Sequence, residues 1–315
     1  MPADKALTFQ NPLRDPGADP WLQYHNGQYY LVATNHAAIK MRHASSLREL
    51  RDAEDVVVWQ DNTPSRSEQM WAPEFFLLDG PNGRRWYLYY TACDGPDLNH
   101  RMFVCEAGGD DPLGPYAFKA QLATDPVNAL YAIDGTVIAH PDGSLYFVWA
   151  GHPGHRLYIS KMDNPWTLTG ERALIEASGF GCDEVREGPV ALQRDGHIFL
   201  VYSACDTGKP DYKLGMLVAD ALADPIDPAS WRQHPDPVFT RCDDNGVYGP
   251  GHNHFFKSPD GTEDWIVYHA KTSSEYTYEG RSTRAQRFSW NDEGLPAFGE
   301  PVSLDTQITE PSGTG

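Results

Sequence analysis

Five times along the chain a short apolar run, a glycine-bearing turn and a second apolar run follow one another in the same order. The clearest copy spans residues 185–204. Glu187 stands there in VREGP, residues 190–192 form the first run, Asp195-Gly196 the turn, and residues 197–204 the second run. The same order recurs in GADPWLQYHNGQYYLVAT from Gly17, WAPEFFLLDGPNGRRWYLYYTA from Trp71, IDGTVIAHPDGSLYFVWAG from Ile133 and GHNHFFKSPDGTEDWIVYHA from Gly251. The turn glycines Gly27, Gly83, Gly143, Gly196 and Gly261 lie 53 to 65 residues apart. Eight or nine residues upstream of each stands a polar residue: Asp19, Glu74, Asp134, Glu187 and His252. Asn-Gly and Asp-Gly between strand-like runs signal tight hairpins. An ordered recurrence of this kind is the signature of a repeat architecture.

A third apolar run follows each hairpin, at residues 38–43, 101–106, 156–161, 213–218 and 284–290. Residues 45–51 read as a brief helical turn and residues 56–59 as an outer strand. Nowhere between the strands is there a helix-period stretch long enough to cover a parallel sheet, which excludes doubly wound and alternating-barrel folds. A two-sheet sandwich, a strand solenoid and a propeller remain. Radial repetition of five antiparallel units fits best, so the expectation is an all-β, five-bladed β-propeller. Residues 1–315 read as one catalytic propeller domain. The first dozen residues are either a tail or the strand that completes the last blade. Residues 307–315, with little apolar content, are expected to leave the fold or lie on its surface.

Charge narrows the partners. With 44 acidic against 25 basic residues the formal charge is -19, the opposite of the positive footprint that nucleic acid or an anionic membrane requires. No obligate protein partner is evident. The aromatic content of 12% suits both strands and sugar-stacking surfaces. Cys93, Cys105, Cys182, Cys205 and Cys242 form no close CxxC pair, which argues against a zinc knuckle or a thioredoxin-like motif, and the odd count leaves at least one thiol unpaired. No apolar run long enough to span a membrane occurs. The location is expected to be extracellular if a signal peptide has been removed, with the cytoplasm as the alternative.

In a propeller the innermost strand of each blade lines a central channel. Residues just before the WLQY, FFLL, TVIA, VAL and FFK runs would then converge on one mouth. Crowded carboxyls there raise at least one pKa, which separates acid from base at a single pH. Carboxylates beside aromatic rims suit glycosidic bond cleavage. The candidate platforms are Trp21, Trp71 and Phe180, with sealing between blades as the alternative for Trp71. Glu74 is either a site residue or a partner that orients another group. His252 and His254 are either packing histidines or site ligands, and one imidazole does not make a tetrahedral zinc site.

At these residues the sequence resembles the five-bladed propeller glycoside hydrolases of family 43. GADPW around Asp19, MWAPE around Glu74, AIDGT around Asp134, REGP around Glu187 and GPGHN before His254 carry the resemblance, which runs from Asn11 to about Gly299. It implies hydrolysis with inversion. Asp19 corresponds to the general base, Glu187 to the general acid, and Asp134 to the carboxylate that tunes and orients the acid. His252 corresponds to the histidine beside a central, often calcium-like ion, and no organic cofactor is implied. Arg284 corresponds to the arginine that contacts the sugar, with Arg281 and Arg287 as neighbouring alternatives. MWAPEF and RSTRAQRFSW look most like exo-acting α-L-arabinofuranosidases. The implied substrate is plant cell-wall arabinan or its oligosaccharides, α-1,5-linked. A β-xylosidase or bifunctional arabinofuranosidase/xylosidase, an endo-arabinanase and a non-catalytic sugar-binding propeller are the alternatives.

Overall fold

The computed structural model describes residues 7–315, in five four-stranded antiparallel sheets and one two-stranded sheet. Each four-stranded sheet is a blade whose strands follow in chain order, as expected. From the inside outward, blade 1 comprises Trp21–His25, Gln28–Val32, Ile39–Ala44 and Val56–Trp59, and blade 2 Glu68–Gly80, Gly83–Cys93, Arg101–Ala107 and Tyr116–Gln121. Blade 3 comprises Ala132–Ala139, Leu145–Gly151, Arg156–Asn164 and Thr167–Ile175. Blade 4 comprises Arg186–Arg194, His197–Ala204, Lys213–Asp220 and Arg232–Gln233, and blade 5 Tyr248–Lys257, Asp264–Lys271, Ser282–Trp290 and Pro296–Ala297.

Second strands read as continuous apolar runs because each is covered on both faces by neighbouring blades, where a half-solvated strand would alternate. His197–Ala204 is buried at every residue after the first. The core accordingly lies in the seams. Tyr87 and Tyr89 of blade 2 meet Phe147 and Trp149 of blade 3. Ile138, Tyr146 and Val148 of blade 3 meet Ile198, Leu200 and Tyr202 of blade 4. Leu22, Tyr29 and Leu31 of blade 1 meet Phe256, Trp265 and Val267 of blade 5 and so close the ring.

The two ends of the chain reinforce that closure. Thr8–Phe9 pairs with Ile308–Thr309, and Leu13 and Arg14 bond the backbone of Thr283 in blade 5. Residues 307–315 thus run along the surface and stay on the fold. Polar anchors hold this segment, beside Ile308, which packs against the seam of blades 1 and 5. The Glu310 carboxylate accepts from the N–H groups of Leu47 (3.1 Å) and Arg48 (2.7 Å) at the start of the short helix Leu47–Asp52. Ser312 bonds Asp260 and Glu263, and Thr314 the hydroxyl of Tyr29.

Candidate active site at the channel mouth

Each inner strand enters its blade through a β-bulge, and the bulges set the true equivalence of the blades. Pairing skips Ala72-Pro73, Asp134-Gly135, Gly188-Pro189 and His252-Asn253, and in blade 1 Asp19-Pro20 precede the first strand residue. The first residue of every pair has positive φ: Asp19 54°, Ala72 43°, Asp134 55°, Gly188 53° and His252 45°. That conformation costs a non-glycine residue about 1–2 kcal/mol, and it brings the side chains of Asp19, Asp134 and His252 together at the mouth.

The blade register differs from the one expected by counting back from the turn glycines. Asp19, Asp134 and His252 share one position with Ala72 and Gly188. Glu187 lies one residue earlier, level with Trp71. Glu74 lies two residues later, level with Trp21, Thr136 and His254, one layer deeper in the channel. Turn counting mixed these layers because the hairpin arms differ in length from blade to blade.

A second pattern pins the bulges. The N–H of Ala72 donates to Thr34 Oγ1 (2.8 Å), that of Asp134 to Thr91 Oγ1 (3.1 Å), that of His252 to Ser203 Oγ (2.8 Å) and that of Asp19 to His269 Nδ1 (3.1 Å). Each acceptor comes from the preceding blade. Gly188 breaks the pattern, for its N–H donates to Asp134 Oδ2 at 3.2 Å.

Asp19 is the most heavily contacted of the carboxyls. Thr34 Oγ1 donates to Oδ2 at 2.6 Å, Arg281 Nη1 donates to Oδ1 at 3.2 Å, and His252 Nδ1 stands 3.3 Å from Oδ1. Burial pushes its pKa up, but His252, Arg281 and His269 reverse the effect and hold it well below the usual carboxylate range. His269 is itself pushed down to about 4, chiefly by burial. Its neutral ring accepts from the Asp19 N–H through Nδ1, which leaves Nε2–H to face Thr207 Oγ1 at 3.2 Å.

Asp134 and Glu187 form a coupled pair. Burial, then the charges of Glu187 and Asp19, push Asp134 well above its ordinary value. Burial also raises Glu187, but His155, His252 and Tyr212 outweigh it and leave this carboxyl low. Tyr212 Oη donates to Glu187 Oε1 at 2.8 Å, and His155 Nε2 lies 3.2 Å from Oε2. A side chain at Gly251 would collide with the Tyr212 ring at 2.4 Å, so glycine there admits the tyrosine. The pair therefore keeps a proton to higher pH than an isolated carboxyl, while Asp19 stays ionised.

The remaining candidates separate by depth. Trp71 is half-buried at the rim, stacked on His100 at 3.9 Å between ring centres. Trp21 is only 3% exposed, stacked on His254 at 3.5 Å, with its indole N–H donated to the Phe75 carbonyl. It seals the channel and offers no face to a sugar. His254 is a packing histidine, pushed down to about 3 by burial. Phe180 packs into blade 4 against Tyr202 and Gly215, away from the carboxyls. Glu74 is buried below the mouth with Oε2 unpartnered, and burial keeps its pKa well above the ordinary value.

Arg284 is corrected as a sugar contact. It is 0% exposed, its Nε facing Ser282 Oγ and its Nη2 the Ala270 carbonyl. Arg287 is on the outside with Glu263. Arg281, where the loop enters Ser282–Trp290, is the arginine that reaches Asp19. Sequence reasoning did not find His155, Tyr212, Thr34 or His269. The first two arrive on loops between strands, where no periodicity marks them.

Among the described residues no group of three or more His, Cys, Asp or Glu side chains converges to hold an ion. His252 Nδ1 faces Asp19, with Asp134 Oδ2 at 3.9 Å.

A channel mouth that keeps one carboxyl ionised and a second pair holding a proton has the division of labour of a general acid–base hydrolase. Sequence comparison gives the family. The chain belongs to the glycosyl hydrolases family 43, whose profile matches residues 9–296. It is 37% identical over 322 residues to an extracellular exo-alpha-(1->5)-L-arabinofuranosidase of Streptomyces avermitilis, covering 96% of this chain and 65% of the relative. It is 36% identical over 288 residues to a Streptomyces chartreusis protein of the same name, covering 87% and 85%. The chain thus spans about two thirds of the first relative's length and most of the second's. The crystal structure of an alpha-L-arabinofuranosidase from Lactobacillus brevis superposes with a TM-score of 0.86 at 33% identity, covering 95% of this chain and 98% of that one.

Proposed function

We propose that the protein is an inverting, exo-acting α-L-arabinofuranosidase that releases terminal arabinose from α-1,5-linked arabinan or arabino-oligosaccharides. The observation that carries the chemistry is the convergence of Asp19, Asp134 and Glu187 on one mouth, with His252 Nδ1 3.3 Å from Asp19 and 3.9 Å from Asp134, and Asp134 bonded to the N–H of Gly188 beside Glu187. In this reading water attacks the anomeric carbon and Asp19 takes its proton. The glycosidic bond breaks as Glu187 delivers the proton held by the pair to the leaving oxygen. Asp134, crowded against Glu187, raises the proton affinity of the pair, and Tyr212 and His155 orient the Glu187 carboxyl. Arg281 keeps Asp19 ionised and lies within reach of a sugar hydroxyl. Trp71 offers the rim an aromatic edge.

The choice of sugar rests on the names borne by the Streptomyces and Lactobacillus relatives. Hydrolysis along this route uses no organic cofactor. A cation beside His252 would take most of its ligands from water. An extracellular location is supported by the description of the Streptomyces relatives and by the Cys182–Cys205 disulfide, which suits an oxidising compartment.

Product analysis tests the proposal. Linear arabinan and arabino-oligosaccharides should yield arabinose alone from the earliest time point, and Asp19→Ala or Glu187→Ala should abolish the release. A ladder of arabino-oligosaccharides would replace the exo reading with an endo one. Xylose from xylobiose without arabinose from arabinan would overturn the choice of sugar.

A further inference from the structure

Two large aromatic side chains beside the mouth have no role in packing the blades. Tyr276 and Tyr278, on the loop between Asp264–Lys271 and Ser282–Trp290, are 58% and 51% exposed. Exposed tyrosines are common, but these two are fixed. Their hydroxyls lie 2.8 Å apart, and both donate to the same oxygen, Asp206 Oδ2, at 3.2 and 3.0 Å. Their rings stand 5.6 Å apart at 70°. One face of Tyr276 rests on Gly208, where a side chain would come within 3.0 Å of the ring.

The loops that carry the pair are themselves locked. Lys271 Nζ, buried, donates to the carbonyls of Gly208 (2.6 Å), Thr277 (3.0 Å) and Glu275 (3.3 Å), and the Thr277 N–H donates to the Gly208 carbonyl. The Cys182–Cys205 disulfide and the Lys209–Glu184 ion pair tie the loop carrying Asp206 to the connection between blades 3 and 4. Both loops then lead to Asp19. Arg281 donates from Nε to the Tyr278 carbonyl (3.0 Å) and from Nη1 to Asp19, and Thr207, next to Asp206, faces His269.

We propose that Tyr276, Tyr278 and Asp206 form a saccharide-binding platform, contiguous with the mouth, that holds sugar units of the substrate beyond the one released. This rests on the arabinofuranosidase reading above. An ordered aromatic face presents apolar area at low entropic cost, and its phenol and carboxylate oxygens supply acceptors for sugar hydroxyls. Glu275 and Glu279, exposed on the same loop, would repel a uronate, so the ligand is a neutral pentose oligosaccharide.

The experiment compares Tyr276→Ala, Tyr278→Ala and the double variant on two substrates. One is an aryl α-L-arabinofuranoside, which has no sugar to reach the platform, and the other is α-1,5-linked arabinotetraose. The double variant should raise KM for the tetraose about tenfold while leaving the aryl substrate within about twofold, and Tyr276→Phe should keep the tetraose KM near wild type, since the ring does the work. Equal losses on both substrates, or none on the tetraose, would overturn the platform. Calorimetric titration of arabinotetraose into Glu187→Gln protein, with and without the tyrosines, reads the platform independently of turnover. Loss of affinity with the tyrosines supports it, and unchanged affinity refutes it. Failure of the wild-type protein to hydrolyse the aryl arabinofuranoside would instead count against the arabinofuranosidase reading.

Discussion

Asp134 Oδ2 accepts the backbone N–H of Gly188 at 3.2 Å, a task that Thr34, Thr91, Ser203 or His269 performs at the equivalent bulge of every other blade. The carboxyl thus anchors the strand that carries Glu187 and stands beside it as the proton-holding member of the pair. Asn at this position keeps an acceptor for the N–H but removes the titrating carboxyl. Without the raised Asp134 carboxyl the proton shared with Glu187 is lost at lower pH. Asp134→Asn should therefore shift the basic limb of the kcat/KM profile to lower pH and cost about 10²-fold or more in rate at neutral pH. An unmoved limb would show that Asp134 acts by position alone.

Tyr212 predicts the opposite shift. Its hydroxyl stabilises the ionised form of Glu187, so Tyr212→Phe should raise the pKa of that carboxyl and move the basic limb upward. A merely structural role would lower thermal stability and leave the limb in place. His155→Gln should move the limb in the same direction, because it removes a group that favours the charged carboxyl.

Arg281 and Arg284 separate site from scaffold. Removing the Arg281 cation leaves Asp19 easier to protonate, so Arg281→Ala should move the acid limb of kcat/KM to higher pH with little change in Tm. Arg284→Ala strips the Ser282 hydroxyl and the Ala270 carbonyl of a buried partner. It should cost about 1–3 kcal/mol of stability without moving either limb. Paired pH profiles and melting curves distinguish the two.

Glu74 makes a prediction about stability alone. Its carboxyl is held well above its ordinary value by burial, with Thr136 acting against that and Asp134 adding to it. Above that value the folded protein binds more protons than the unfolded chain, so this group makes stability fall as pH rises. The slope it contributes is at most about 1.4 kcal/mol per pH unit. Glu74→Gln imitates the neutral acid, so its gain in Tm over wild type should be larger at pH 8 than at pH 5. A pH-independent difference would contradict a neutral Glu74.

The fivefold hairpin rhythm is legible in the sequence because Asn-Gly and Asp-Gly turns and doubly covered second strands leave local marks. Asp19 and Asp134 are legible for the same reason. Glu74 is not, because a bulge and a longer hairpin shift its layer without changing the motif around it. Arg281, Arg284 and Arg287 are three residues apart, yet they end at the mouth, in the interior and on the outside, as only the start of their strand determines. Residues 307–315 have the composition of a tail, but the contacts of Glu310 and Ser312 are long-range and leave no sequence pattern. His155 and Tyr212 meet Glu187 through loops whose course follows from tertiary packing.

In the proposed reaction Asp19 activates water while Glu187 protonates the leaving group. Proton NMR of the first product released from an α-L-arabinofuranoside, recorded before mutarotation, tests this directly. Inversion by water predicts that the β-anomer of arabinofuranose forms first. Initial release of the α-anomer would mean retention through a covalent intermediate, and Asp19 would not be the base.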